Sequence, residues 1–281
     1  MTDLNAYVPF DVLSNLTLEE RKYLSMIFQR FDGYPSLAQL WQLMDEPWVD
    51  LGCDSKLIDG RVTAYYQHPV WMLNGLFIEQ DAESLAHRHA FTDWIVLQAP
   101  LRVADFGGGF GGLARFVGQV LPSAQVEVVE PHPHPAAIAL AASTPNVRFI
   151  PELTDEYDLL IATDVFEHVP DPLWLCAQTA KHLRVGGHYL MANCFHPVIK
   201  CHLPQLFHFE YGWDAAMQAM GLAPAERVQY GRAYQRMGAL DLPAASKIGE
   251  RARSLYTWVR HLPRGRAHMG ALILKLFGKI T

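Results

Sequence analysis

The densest chemistry in the chain lies between Val103 and Leu113, which reads V-A-D-F-G-G-G-F-G-G-L. Gly107, Gly108, Gly109, Gly111 and Gly112 crowd together just behind the carboxylate of Asp105. Glycine gives up the most backbone freedom on ordering, so this density marks a turn where side chains would collide with something. Apolar residues lead into the turn and a helix-like run, Leu113 to Val117, follows it. A strand, a glycine turn and a helix make a seat for a nucleotide-like ligand, because backbone N–H groups point outward and no Cβ blocks approach. An ordinary strand-to-helix turn has the same parts, and Asp105 is what separates the two readings. A phosphate cradle keeps acids out, since two anions repel, and the loop lacks the Gly-Lys-Ser/Thr ending of a P-loop. An acid here suits a nucleoside that presents a cation or hydroxyls.

A second grouping, Cys194-Phe195-His196, Cys201-His202 and His208, offers metal-type side chains within a short span. Structural zinc sites use tighter pairs, and adjacent side chains in a strand point to opposite faces. The spacing therefore predicts no metal. The four cysteines form no CxxC pair and no leader is evident, so the expected setting is reducing and cytoplasmic. Half of the 281 residues are apolar and 19% are charged, as in a folded soluble protein. A net charge of -6 gives no electrostatic case for nucleic acid as the main partner. The arginines at 251, 253, 260, 264 and 266 read as a solvated face, or as a surface that orients an acidic substrate, a lipid surface or another protein. No apolar run has the length of a membrane span.

The elements that must position these groups follow from periodicity. Thr17-Leu18-Glu19-Glu20 is a capping box that opens a helix running to Phe31. Ser36 starts a second helix, with Leu37, Leu40, Trp41 and Met44 on one side, ending before Pro47. An aromatic-rich stretch, Tyr65 to Trp71, leads to a helix over 81–97, which Pro100 ends. Strands and helices then alternate. Strands are expected at 101–106, 125–130, 146–150, 157–162 and 188–192, with helices at 113–120, 136–142 and 173–183, the last ended by Arg184-Val185-Gly186-Gly187. Alternation of this kind implies a mostly parallel sheet covered on both faces. A helix over 211–220, a strand pair within 222–238 and a helical tail from Ala244 complete the chain. The tail carries Leu255, Val259 and Leu262 at helical spacing, and Met269 to Ile280 is a packed terminal element or a membrane-surface helix.

Several segments together resemble the class I S-adenosylmethionine-dependent methyltransferases. Val103 to Gly111 resembles their first motif, and the strand ending in Glu130 resembles their second. Tyr157 to Pro172, with its Asp164-Val165-Phe166-Glu167-His168, is similar to their fourth-strand region. Leu183 to Leu190 is similar to the turn into their fifth strand. The resemblance spans residues 85–238. It implies a doubly wound, mostly parallel seven-stranded sheet, a Rossmann-like α/β core. Residues 1–84 then form a helical cap and substrate lid, and 239–281 a C-terminal helical extension. It also implies S-adenosyl-L-methionine as cofactor, with S-adenosyl-L-homocysteine as product. Asp105, with Phe106, Gly107 and Gly109, would lie near the methionine part, and Glu130 would take the ribose hydroxyls. Pro131, in the Pro131-His132-Pro133-His134-Pro135 run, would shape the adenine edge. Glu152 and Leu153 would meet the adenine, and Asp164 and Val165 the methionine end. A dinucleotide-binding enzyme also places a ribose acid after its second strand. The Asp164 segment and the acid in the glycine turn favour the methyltransferase.

Methyl transfer is an in-line displacement, so the protein must align the nucleophile, exclude water and, for some acceptors, remove a proton. His168, His196 and Tyr211 are the candidate catalytic residues, with His208 also near, because histidine is the usual base near neutral pH. Trp48, Tyr65, Tyr66 and Trp71 are suited either to covering a flat acceptor or to packing the helical layer onto the sheet. The expected acceptor is a small molecule or biosynthetic intermediate, with no nucleic acid and no transmembrane segment, and a homodimer as the assembly left open. Action on a protein or RNA, or a fold kept only for binding, are the alternatives.

Overall fold

The computed structural model describes residues 4–259. Helices fill the chain before the first strand: α1 (Phe10–Leu13), α2 (Leu18–Phe31), α3 (Leu37–Asp50), α4 (Gly60–Tyr66), α5 (Pro69–Ile78) and α6 (Ala82–Leu97). The Thr17 capping box is formed, its side chain accepting from the Glu20 amide while the Glu20 carboxylate accepts from the Thr17 amide. Two departures from the sequence reading have physical causes. Helix α3 does not end before Pro47 but runs through it to Asp50. Proline removes one helical donor, and here Pro47 is buried beside Trp48 while its own carbonyl still accepts from Leu51. The aromatic stretch at 65–71 belongs to two helices, α4 and α5. His68 separates them, its ring accepting from the Val70 amide with Pro69 at the first helical position. Helix α5 buries Val70, Met72, Leu73, Leu76 and Phe77, so apolar residues surround it and leave no period to read.

The sheet contains β1 (Arg102–Phe106), β2 (Gln125–Val129), β3 (Val147–Ile150), β4 (Tyr157–Thr163), β5 (Leu183–Ala192), β6 (Leu222–Val228) and β7 (Gly231–Arg236). Helices α7 (Gly112–Val120), α8 (Pro135–Ala141), α9 (Pro172–Ala180), α10 (Phe209–Met220) and α11 (Leu242–Val259) complete the elements. Strand order is β3-β2-β1-β4-β5-β7-β6, with β1 to β5 parallel and β7 antiparallel to β5 and β6. The central strands are buried on both faces, as a parallel sheet between helical layers requires. The chain winds outward from β1 to β3 and then returns to the other side of β1, which opens a crevice at the carboxyl ends of β1 and β4. Strand β5 is longer than expected. Helix α9 stops at Ala180, and the Arg184-Val185-Gly186-Gly187 segment lies inside β5, where the register with β4 shifts between Tyr157 and Leu159. Gly186 takes φ +82° within that irregularity.

The N-terminal helices are not a separate layer. Val12, Leu24, Phe28, Leu43 and Leu73 share one apolar cluster with Phe110 of the glycine turn and with Ala136 and Ala137 of α8. Helix α11 packs on α10 and α9. The predicted continuation through Leu262, and the stretch Met269 to Ile280, lie outside the described residues. Among the described residues, no helix is long and apolar enough to cross a membrane, and all four cysteines are free thiols.

Candidate active site

Every acid that the sequence reading singled out lies near the end of a strand or follows one, toward the carboxyl edge of the sheet. Asp105 is the penultimate residue of β1 and is 1% exposed. It lies directly beneath the glycine turn: a Cβ on Gly108 would stand 2.6 Å from its Oδ2. Gly109 takes φ +53° with nothing within 4 Å of where a Cβ would be, so the turn presents bare backbone to open space. A Cβ on Gly107 would stand 2.8 Å from Val165, which puts the β1 turn and the segment after β4 in contact. The Glu130 amide donates to the Ile150 carbonyl at 3.0 Å, so the end of β2 adjoins the turn that carries Glu152 and Leu153. Glu152 is exposed there, as are Pro131 and His132 beside Glu130. Phe106 packs against the apolar cluster of α9 and α10, and Phe110 lies within the N-terminal cluster, so both rings are core residues as well as members of the turn.

Asp164 holds φ +54°, a left-handed conformation that aspartate tolerates better than most residues. Its amide donates to the Ala192 carbonyl, and its Oδ2 accepts from the Tyr230 hydroxyl at 2.9 Å. Asp164 and Tyr230 both touch solvent yet are surrounded by protein, as residues lining a cleft are. Removal from bulk water raises the pKa of Asp105 to about 7, with Arg88 opposing the rise. The same cause lifts Asp164 to about 6 and Glu167 well above the ordinary carboxylate range, with Asp164 adding to the latter. Burial also raises Glu130, partly offset by the His132 amide and charge. One oxygen of Asp105 is buried with no hydrogen-bond partner, while the Glu167 carboxyl shares a hydrogen bond with that of Asp164. An orphaned acid beneath a turn of open backbone fits a ligand that brings its own positive charge and donors, which is what the cationic cofactor implied by the motifs would supply.

The candidate catalytic residues stand in different surroundings. His168 closes the short turn after β4, with its Nδ1 3.2 Å from the Cys201 carbonyl. Burial, with His202 adding to it, pushes His168 down to about 3. His196 is exposed on the loop after β5, its Nε2 3.4 Å from the Cys194 Sγ. Tyr211 is half-buried in the first turn of α10, and His208 is buried just before it, pushed down to about 4 by burial. The aromatic residues of the cap differ in their surroundings. Trp48 and Tyr65 are buried against Val62 and Cys201. Tyr66 and Trp71 instead set ring edges against His168, each at 6.3 Å between centroids. The roof is tied to the β5–α10 loop by the Lys200 amide donating to Asp45 and by Gln205 donating to the Ser55 carbonyl. On the far side, His134 stacks on Phe110 and pairs with Glu20 at 2.8 Å, so this member of the Pro131–Pro135 run joins roof to sheet.

Sequence reasoning passed over Tyr230 and Arg88. Tyr230 reaches Asp164 only because β7 pairs with β5 and turns its start toward the carboxyl edge. Arg88 projects from α6, where its guanidinium donates to the Ile78 carbonyl and lies against the position a Gly112 Cβ would occupy. Neither carries a local motif that could have marked it.

A parallel sheet with a reversed β7–β6 hairpin, a glycine turn after β1 and acids at the ends of β1, β2 and β4 define the class of S-adenosylmethionine-dependent methyltransferases. A family model described as a methyltransferase domain matches residues 77–230, more than half of the chain and every strand from β1 to β6, and the chain belongs to that family. No curated protein matches it by sequence. Among solved structures, an O-methyltransferase family protein from Burkholderia thailandensis is similar, at 14% identity and a TM-score of 0.54, over 71% of this chain and 71% of that one. Human N-acetylserotonin methyltransferase in complex with SAM is 14% identical over 71% of this chain and 67% of its own, with a TM-score of 0.46. Mitomycin 7-O-methyltransferase is 14% identical over 70% and 68%, also with a TM-score of 0.46. At these identities the likeness is one of fold.

Proposed function

We propose that this enzyme moves a methyl group from S-adenosyl-L-methionine to a small-molecule acceptor held under the N-terminal helices. The observation that carries this reading is the roof. Helices α3 to α5 are bonded to the β5–α10 loop on one side and share a core with the glycine turn on the other, with Tyr66 and Trp71 against His168 and Tyr230 on Asp164 at the carboxyl edge of the sheet beneath them. A roofed edge of this kind suits a compact, partly flat acceptor better than a polymer. The cofactor supplies an electrophilic methyl group on a positively charged sulfur. Asp105 and the backbone of Gly107 and Gly109 take its methionine end, together with Phe106, Asp164 and Val165. Glu130 takes the ribose hydroxyls, and Pro131, Glu152 and Leu153 edge the adenine. His168, His196 and Tyr211 are the acceptor-side residues, which orient the nucleophile and remove its proton where its chemistry requires.

The test is transfer from methyl-labelled S-adenosylmethionine into three pools: a small-molecule extract, a protein extract and RNA. Label entering the small-molecule pool supports the reading. Label entering only protein or RNA replaces it with the macromolecular one. Tight cofactor binding with no transfer into any pool replaces it with a binding role.

A further inference from the structure

The geometry points to a divalent metal site formed by Glu167, His168 and His202 at the carboxyl end of β4. One ligand atom from each of these side chains lies within 4.8 Å of the other two. Each side chain is already oriented as a ligand would be. His168 Nδ1 lies 3.2 Å from the Cys201 carbonyl and His202 Nδ1 2.9 Å from the His196 carbonyl. A carbonyl oxygen only accepts, so both Nδ1 atoms carry the proton and both Nε2 atoms keep a lone pair. Backbone carbonyls behind Nδ1 are the usual outer support of histidine ligands. Glu167 is fully buried, with Oε1 accepting from the Cys194 amide at 2.9 Å and its carboxyl group sharing a hydrogen bond with that of Asp164. Two buried acids side by side, with two imidazoles against one of them, are costly to ionise in an apolar setting, and a cation held between Glu167 and the imidazoles offsets that cost. Two imidazoles and one carboxylate suit Zn²⁺ or a neighbouring first-row divalent ion and leave coordination positions open.

The three side chains stand beside Asp164 and against the Tyr66 and Trp71 edges, on the acceptor side of the function proposed above, on which this role rests. The ligand that completes the site is then an acceptor hydroxyl, whose ionisation the cation promotes. In the transfer, the S–CH3 bond breaks with its electron pair staying on sulfur. An oxygen lone pair forms the O–CH3 bond, and the hydroxyl proton passes to water, with His168 serving as an ion ligand in place of the proton-removing role given to it above. The acceptor class is a hydroxyl compound.

The experiment uses the full chain, stripped with a chelator and titrated calorimetrically with Zn²⁺ and, separately, with S-adenosylhomocysteine. The expected result is one Zn²⁺ per chain, bound more weakly by Glu167→Gln and by His202→Gln by at least the roughly 10- to 100-fold that losing a mere outer support of a ligand costs. The exposed His89→Gln should leave Zn²⁺ binding unchanged. Co²⁺ loaded into the unaltered chain should show visible bands of a nitrogen-ligated ion, a readout that stands even if the buried variants fail to fold. A folded chain that binds S-adenosylhomocysteine but neither ion overturns the site, as do variants that bind Zn²⁺ as tightly as the unaltered chain. Uptake of the ion without S-adenosylhomocysteine binding upholds the site and overturns the cofactor reading that gives it its role.

Discussion

Asp105 is held almost free of solvent beneath the glycine turn, and that burial lifts its pKa to about 7. In the unfolded chain it loses its proton near the ordinary aspartate value of about 4. Between those two pH values the folded state holds a proton that the unfolded state has lost. Its contribution to stability is therefore full below about pH 4 and is lost as pH rises toward 7. An α-ammonium above the turn, which the methionine end of the cofactor and the homocysteine end of its product both carry, reverses the preference and favours the carboxylate. Affinity for S-adenosylhomocysteine should accordingly rise between pH 6 and 8 in the unaltered chain. In Asp105→Asn affinity should be weaker and flat over that range, and the melting temperature should fall less from pH 5 to 8. Calorimetry and thermal melts at four pH values check this, and an unchanged pH slope in the variant would sink it. At this scale the local groups were legible. Asp105, the glycines and Glu130 sit at short, regular distances from strand and turn signals. Tyr230, Arg88 and the partnership of Glu167 with His202 were not, because tertiary pairing brings them together from separate segments.

The elements reached the same site by different degrees of legibility. Strands β1 to β4 have two-sided apolar runs bounded by turn residues, and their bounds in the structure follow the sequence reading to within a residue or so. Helix α5 was hidden by its uniform apolarity, α3 by a proline that burial accommodates, and the first half of β5 by glycines that serve an irregular strand rather than a turn. The α7–β2 connection shows how one side chain fixes an element. Asn146 donates through Nδ2 to the carbonyls of Gly118, Leu121 and Ala124, at 3.1, 3.0 and 2.9 Å. Losing a donor that serves several half-buried acceptors costs about 1–3 kcal/mol. Asn146→Ala should lower unfolding free energy by about 2 kcal/mol in urea while leaving S-adenosylhomocysteine affinity within twofold, since it lies at the opposite edge of β2 from Glu130. An effect below about 0.5 kcal/mol would contradict the assigned role.

Across the whole molecule, cap and sheet share an apolar cluster that includes Phe110, and a Cβ on Gly75 of α5 would stand 2.4 Å from that ring. The cap is therefore a built-in wall of the site. It should unfold with the sheet in one transition, with tryptophan fluorescence and far-ultraviolet circular dichroism coinciding; early loss of the fluorescence signal alone would show an independent cap. The same architecture concentrates the acids proposed to bind the cofactor on one edge of the sheet, so a single acid at that edge tests the account. Calorimetric titration of S-adenosylhomocysteine into the unaltered chain and into Glu130→Ala is the most direct measurement. Two charge-assisted hydrogen bonds to ribose hydroxyls are worth about 1.5–3 kcal/mol each, so their loss weakens binding at least roughly tenfold. The account predicts one site per chain, weakened by at least that factor in a variant that melts as the unaltered chain does. A folded chain that binds no S-adenosylhomocysteine, or a variant with undiminished affinity, would contradict it.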